Sequence, residues 1–402
     1  MRLVSELADE NLVRLFLQQA ANDGWLIQSE AETRCGFGDP LVSLVVDSLD
    51  DLPSLDALFS GLDFHDATLL TAFAAVPFRH DEAFALVVPT FQLVIAPGQP
   101  ARWIHPEHVS LPASTFDARP AVVPRPVSFR LEPSPDAYAA AVASAVESLR
   151  AGDIQKVVLA RSCQGELSAD ISSAPIADRL HQLEPSCTIY AVPTMAGARF
   201  TGASPELLVS LHGDQVACHP LAGTISTEGL TDTSAYTTWL RGSNKNRVEH
   251  QIVVHDIVER LTPYCVTLSA DAEPSIVPLR SVAHLGTNIV GKVREEVTAL
   301  NLVQLLHPTP AVGGLPRLES VHLIAQLEGR SRGVYAGAVG WVNAAGEGAW
   351  WVAIRGILTQ GRHFEVWAGA GIVADSDPIA EREETKYKLD SVLHAIGLGT
   401  LN

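Results

Sequence analysis

The sequence predicts an α+β fold, and three observations predict it. Capped stretches with helical spacing run from Ser134 to Gly152, from Asn246 to Leu261 and from Asp377 to Gly397. Between the last two, "RGVYAGAVGWV", "GAWWVAIRGILTQ" and "HFEVWAGAGIVA" are β-rich runs parted by turn residues, and they read as a meander of adjacent antiparallel strands. A chain of 402 residues that is 47% hydrophobic and 18% charged has the material for a large core and not the composition of a disordered chain.

The elements follow in order. In "MRLVSELADENLVRLFLQQAAND" the acids are scattered, no uninterrupted apolar run forms, and Leu12, Val13, Leu15 and Phe16 share one helical face. The stretch reads as a structural helix and not as an export signal. Leu111 to Ala137 carries six prolines, a density that fits an extended connector better than a central strand or a helix interior. The main boundary is placed there, with residues 1–132 completing the N-terminal part and residues 133–402 carrying the chemistry, and the two are expected to form one continuous fold. After it, Ser134 is an N-cap, Pro135 suits the first helical position, and an Ala-rich run stops at Gly152. The strand "GDIQKVVLAR" comes next, then a helix through "NRVEHQIVVHDIVERL" ended by Pro263, and a final helix capped by Asp377 with Pro378 at its first position.

The net charge of −18 argues against nucleic-acid and anionic-membrane partners, both of which need a basic surface. An anionic substrate would then need local cations or a metal. Five cysteines without a C-x-x-C pair fit a reducing cytosol, and no stretch reads as a membrane span.

Several residues could carry chemistry. In "GDIQKVVLAR" the strand period puts Lys156 on one face with Ile154, Val158 and Ala160, where an ammonium is costly unless paired or deprotonated. Glu381, Glu384 and Lys388 stand at i, i+3 and i+7 on the last helix; the ordinary explanation is a solvated face with an ion pair, the sharper one a shared cation. Glu249 is the candidate third carboxylate, and an oxygen-only set suits Mg²⁺ better than zinc. Glu206 in "GASPELL" is a solvated turn residue or a partly desolvated general acid. Gly223 and Thr224 in "PLAGT", and Gly369 and Gly371 in "AGAGIV", allow a ligand to approach backbone, though no dinucleotide loop is present. Arg355 on an aromatic and aliphatic strand needs an anionic partner, ordinarily a protein acid and more sharply a substrate carboxylate, and the ordinary reading of His284 by itself is a core histidine.

Taken in order, "QKVVLAR", "GASPELL", "PLAGT", "NRVEHQIVV", "HPTPAVGGLP", "GVYAGAVGW", "AIR", "AGAGIVADSDP" and "ExxETxxK" resemble the chorismate-utilising enzymes, most closely their isochorismate synthase branch. The match runs from about Pro133 to the C-terminus, with a looser one over Phe73 to Pro89. The resemblance implies a large fold of two stacked, mainly antiparallel sheets with helices packed outside. It implies a cytoplasmic, monomeric, Mg²⁺-dependent isomerase that converts chorismate reversibly to isochorismate for menaquinone or siderophore synthesis.

Residue by residue, the resemblance makes Lys156 the base that activates water for attack at ring C2 and Glu206 the acid that protonates the departing C4 hydroxyl. A lysine on a water-restricted face is expected to spend time as the free amine, and a buried Glu206 to stay protonated. Glu249 and Glu384 match direct metal ligands, with Glu381 close by. Arg355, Tyr335, Lys388, Gly223, Thr224, Gly369 and Gly371 match groups that hold the substrate carboxylates, and His284 a histidine near the ring. Lys156 separates the chain from ammonia-using relatives, which usually carry glutamine there, and Ala222 from those with a lysine in the "PxxGT" motif. Ala311 replaces a threonine typical of salicylate synthases, the alternative activity. A catalytically silent chorismate-binding protein is the non-enzyme alternative. Asn246 departs from the acid that many relatives place one turn before the metal glutamate.

Overall fold

The computed structural model describes residues 1–110, 124–227 and 233–401, with the backbone alone for 233–236. Most of the proline-rich connector, 111–123, therefore lies outside the described residues. Its end does not stay a simple connector: Pro126–Glu132 forms an edge strand that pairs with Lys156–Leu167. Pro126 heads this strand at the sheet edge, a position that tolerates a residue with no N–H.

The expected helices form where their caps predict. Pro135–Ala151 starts from Ser134, whose side chain accepts from the Ala137 N–H, and ends at Gly152 with φ +94°. Pro378–Ala395 starts from Asp377, which accepts from the Ile379 and Ala380 N–H groups. The third runs Asn244–Leu261, two residues longer at its start than the sequence suggests, because Ser243 supplies the cap. Near the N-terminus the helix is Glu10–Asp23, preceded by a short strand, Leu3–Leu7.

Every described ladder between strands is antiparallel. Nineteen strands form one hydrogen-bonded network, and three more form a small separate sheet. The network has two arms. One passes from Pro126–Glu132 through Lys156–Leu167, His363–Ile372, Gly356–Gln360, Arg199–Ser204, Thr188–Pro193 and Trp25–Gln28 to Thr33–Val46. The other passes from Thr71–Val76 through Ala338–Asn343, Gly348–Val352, Leu207–His212, Gln215–His219 and Ile289–Val293 to Cys265–Ala270. They join at Phe84–Ile95, which pairs with both Thr33–Val46 and Thr71–Val76.

Alternation along each strand separates the two faces. In Thr188–Pro193, Tyr190 and Val192 enter a core shared with Trp341, Trp350 and Val352 of the second arm. Ile189 and Ala191 point the other way, into a core with Phe16, Ile176, Leu389 and Val392 of three helices. The first arm is thus sandwiched between the second arm and a helical layer, as the resemblance implied.

One expectation fails. The three β-rich runs near the C-terminus are not a meander of neighbours but two hairpins, Ala338–Asn343 with Gly348–Val352 and Gly356–Gln360 with His363–Ile372. Gly348–Val352 pairs onward with Leu207–His212, and Gly356–Gln360 with Arg199–Ser204. The chain crosses from one arm to the other at residues 353–355, and Arg355 sits in that crossing with φ +58°.

Candidate active site

That crossing helps to position the candidate residues. Lys156 opens the Lys156–Leu167 strand, and across the ladder Gly371 faces Val158 and Gly369 faces Ala160. Glu206 leaves the end of Arg199–Ser204, while Thr224 and His284 face each other in the small sheet. Glu249 projects from Asn244–Leu261, and Glu381, Glu384 and Lys388 from the last helix. Every candidate except Lys156, Glu381 and Glu384 lines one cleft, which is partly open to solvent. Lys156 is tied to that lining through Glu249, and Glu384 through Lys388.

Lys156 is completely buried, and its Nζ lies 3.1 Å from Glu249 Oε1. The ion pair is off-axis: the ammonium makes no well-aligned hydrogen bond. Burial of the lysine is therefore explained by a carboxylate partner, as the face of the strand demanded. Gly371 permits the pair, since a methyl group there would meet Glu249 Oε1 at 2.0 Å and Lys156 Cε at 3.1 Å. Gly371 thus makes room for the protein's own carboxylate, a reason distinct from the ligand approach expected of it.

Glu206 is not a solvated turn residue. It is 3% exposed, and burial pushes its carboxyl up to about 8, against a hydrogen bond from the Leu221 N–H and the charges of Lys156 and Lys388. A carboxyl in this state holds its proton near neutral pH and can donate it.

His284 and Arg355 form a unit. Arg355 Nη2 lies 3.0 Å from His284 Nε2. A guanidinium only donates, so Nε2 accepts, and the ring proton sits on Nδ1, 3.2 Å from both Gly223 O and Thr224 Oγ1. Burial, then the charges of Arg355 and Lys388, hold His284 well below the usual histidine range, so the ring is neutral. The histidine therefore aims the guanidinium and fixes the Gly223 turn. Gly223 has φ +75°, and a methyl group on it would come 3.0 Å from Asn246 Cβ, so the departure at Asn246 packs directly under this turn. Tyr335 stacks on Trp367 with centroids 5.4 Å apart and planes at 15°, forming an aromatic wall. Its phenol is pushed up to about 12 by burial, and the hydroxyl approaches Gly369, where a methyl group would lie 3.2 Å from it.

The acidic cluster beside the cleft holds a further cation that the sequence did not flag. Lys245, at the start of the Asn244–Leu261 helix, pairs with Glu381. Burial opposes the Lys245 charge, but Glu381, Glu384 and Glu249 together outweigh it and hold its pKa above the usual value. Glu381 is 1% exposed; burial first, then repulsion from Glu384, pushes it up to about 7. Its Oε2 is buried and makes no well-aligned hydrogen bond. Glu384 Oε1 accepts from Lys388 Nζ at 2.7 Å, and the same ammonium donates to Gly369 O at 2.8 Å.

Among the described residues no three His, Cys, Asp or Glu side chains are gathered closely enough to hold a metal ion by themselves. The donor chemistry nevertheless fits Mg²⁺, which keeps several waters and takes one or two carboxylates plus oxygens of a substrate. Glu249, Glu381 and Glu384 supply only oxygen, and Glu381 Oε2, with the Ser376 hydroxyl beside it, makes no well-aligned hydrogen bond and remains available as a ligand atom. Other residues at the cleft that sequence reasoning missed are Trp367, Pro205, Ile354 and Val312. No local pattern could have found the apolar ones, because strands far apart in sequence bring them together.

Comparison with known proteins identifies the family. The sequence profile described as "Chorismate binding enzyme" matches residues 87–397. A Mycobacterium tuberculosis relative, provisionally named isochorismate synthase MenF, is 40% identical over 279 residues, 66% of this chain and 74% of its own length. Isochorismate synthase DhbC of Bacillus subtilis is 33% identical over 333 residues, 81% of this chain and 80% of its own length. The structure of the menaquinone-specific isochorismate synthase MenF of Escherichia coli superposes with a TM-score of 0.83 over 98% of this chain and 94% of that one, at 22% identity. Fold, profile and relatives agree, and the chain belongs to the chorismate-binding enzymes.

Proposed function

We propose that this chain is an isochorismate synthase that interconverts chorismate and isochorismate with Mg²⁺. The observation that carries the reading is the buried Glu206 carboxyl at a cleft that also presents Arg355 and Lys388, two cations for a dianionic substrate. Relatives named for this activity support it.

Arg355, aimed by His284, and Lys388 bind the substrate carboxylates, with the Tyr335–Trp367 wall excluding water beside the ring. Paired with Glu249 as an ammonium, Lys156 cannot act as a base; once it leaves that pair as the free amine, it takes a proton from the water that attacks C2. Glu206 gives its proton to the C4 hydroxyl, which leaves as water. One water is consumed and one released, and each residue ends in its partner's starting protonation state, so the reverse reaction runs with the roles exchanged. Glu249, Glu381 and Glu384 would hold the metal, which when bound supplies positive charge against the substrate carboxylates. Ala222 lines the cleft and offers no amine as a competing nucleophile, and Ala311 lines it where salicylate synthases typically carry threonine.

Five buried cysteines, none in a disulfide, fit the cytosol, and among the described residues no helix is long and apolar enough to cross a membrane. The product would enter menaquinone or siderophore synthesis. The test is product analysis by NMR after incubation with chorismate and Mg²⁺, beside Lys156→Ala and an EDTA-treated sample. A pyruvate-free mixture of chorismate and isochorismate, lost in both controls, is expected. Accumulation of salicylate with pyruvate would replace this reading with salicylate synthase, and unchanged chorismate would leave only a binding protein.

A further inference from the structure

The strand that carries Lys156 has an interrupted edge. Along one side it pairs without a break to His363–Ile372, from Val157 to Glu166. Along the other, Pro126–Glu132 covers Ser162 to Leu167 and Gly314–Leu315 covers Lys156 and Val157, with Val158 N donating to Gly313 O at 2.7 Å. Between these partners the Val158 carbonyl and the Ala160 N–H face no strand. A buried backbone pair without partners is expensive, so something must supply them.

Two side chains do. Glu328 Oε1 accepts from Ala160 N at 2.8 Å, and Arg332 Nη2 donates to Val158 O at 2.7 Å. Glu328, last residue of the Arg317–Glu328 helix, and Arg332 form a fork-to-fork ion pair with side chains 4% and 1% exposed. Arg332 Nε donates to Glu328 Oε2 at 2.9 Å, and Nη1 donates to Val312 O at 2.9 Å. Its backbone carbonyl accepts from Tyr335 N at 3.1 Å, and its guanidinium lies 4.3 Å over the Phe78 ring. Val158, Val312 and Tyr335 belong to three separate segments, and all three line the cleft.

We propose that the Glu328–Arg332 pair is a positioning device for the reaction: it stands in for a missing strand segment and locks the Lys156 strand to two other walls of the site. Neither residue lines the cleft, so the effect acts through Lys156 and Tyr335. A purely structural pair would lower stability when removed and leave turnover per folded molecule alone. A positioning pair also lowers kcat, because misplacement by about 1 Å costs roughly a hundredfold in rate, while ground-state binding through Arg355 and Lys388 persists.

This inference rests on the proposed activity, so the unaltered protein is assayed first; if it makes no isochorismate, that reading falls, and the positioning role falls with it. Three measurements follow on the full-length protein. In the unaltered chain, hydrogen exchange resolved to single amides should find Ala160 as protected as ladder amides such as Cys163. Exchange as fast as an open edge would overturn the inference without any variant. Glu328→Gln and the uncharged pair Glu328→Gln/Arg332→Met leave no lone buried charge in the double variant. Both should lose at least about tenfold in kcat with KM within about threefold of the parent, and Arg332→Lys should recover only part of the loss. Folded variants with a lowered Tm but kcat within twofold of the parent would show the pair to be structural only.

Discussion

Glu249 Oε1 lies 3.1 Å from Lys156 Nζ in a site where neither side chain reaches bulk water freely, and Gly371 is the backbone position that leaves room for them. The pair connects the proposed base to the proposed metal carboxylates. A change at either residue, or at the glycine, therefore affects both functions.

Gly371→Ala tests that connection. Its added methyl group would sit 2.0 Å from Glu249 Oε1, which no rotamer adjustment of alanine can relieve, so the carboxylate must move. Overpacking should cost about 1–3 kcal/mol of stability. Steady-state assay of the folded variant should find kcat lowered by about a hundredfold. A variant with near-parental kcat would mean that the Lys156–Glu249 geometry is not needed.

Glu206 predicts a pH dependence. Its pKa of about 8 in the ligand-free fold means that the acid form declines as pH rises through 8, so kcat/KM should fall on that alkaline limb. Glu206→Gln should lower kcat by about 10²–10⁴-fold and remove the limb. The sign for stability follows from the same shift. A group whose pKa is raised in the folded state gives its full contribution below the unfolded value of 4.5 and loses it as pH rises towards 8. Thermal melts should therefore find Glu206→Gln gaining on the parent between about pH 4.5 and 8, and a constant gap would contradict the assigned burial.

His284→Ala should act mainly on binding. It leaves the Arg355 donor without the acceptor 3.0 Å away and frees the Gly223 turn, at a cost of about 1–3 kcal/mol for the unmade bond. KM for chorismate should rise more than kcat falls. Because the ring is already neutral, the parent should gain no activity step from this histidine between about pH 5 and 8. A loss confined to kcat would assign His284 to chemistry rather than to aiming Arg355.

Metal removal gives the fourth prediction. EDTA should abolish turnover, and added Mg²⁺ should raise the Tm of the parent through binding to the folded state alone. Glu381→Gln should bind Mg²⁺ more weakly by about 10–100-fold, read by calorimetry independently of activity. Equal affinity in parent and variant would exclude Glu381 from the metal set and leave its carboxylate to Lys245 and Ser376.

Much of this protein is decided locally and is therefore visible in the chain itself. Ser134, Pro135 and Gly152 bracket one helix, and Asp377 with Pro378 begins another, because capping and positive φ depend on a few adjacent residues. A lysine on an apolar strand face announces a buried charge, and Glu381, Glu384 and Lys388 share a helix face at any register. Pairing is different. Whether Gly348–Val352 lies beside Gly356–Gln360 or beside Leu207–His212 is settled by which faces two sheet arms bury together, and no short stretch contains that information. The same holds for Lys245 against Glu381, for Gly371 beneath Glu249 and for Glu328 with Arg332 at an open strand edge. Glu206 shows the division within a single residue: its chemistry as a carboxyl is written in the sequence, whereas burial, which raises it to about 8, exists only after the fold has closed around it.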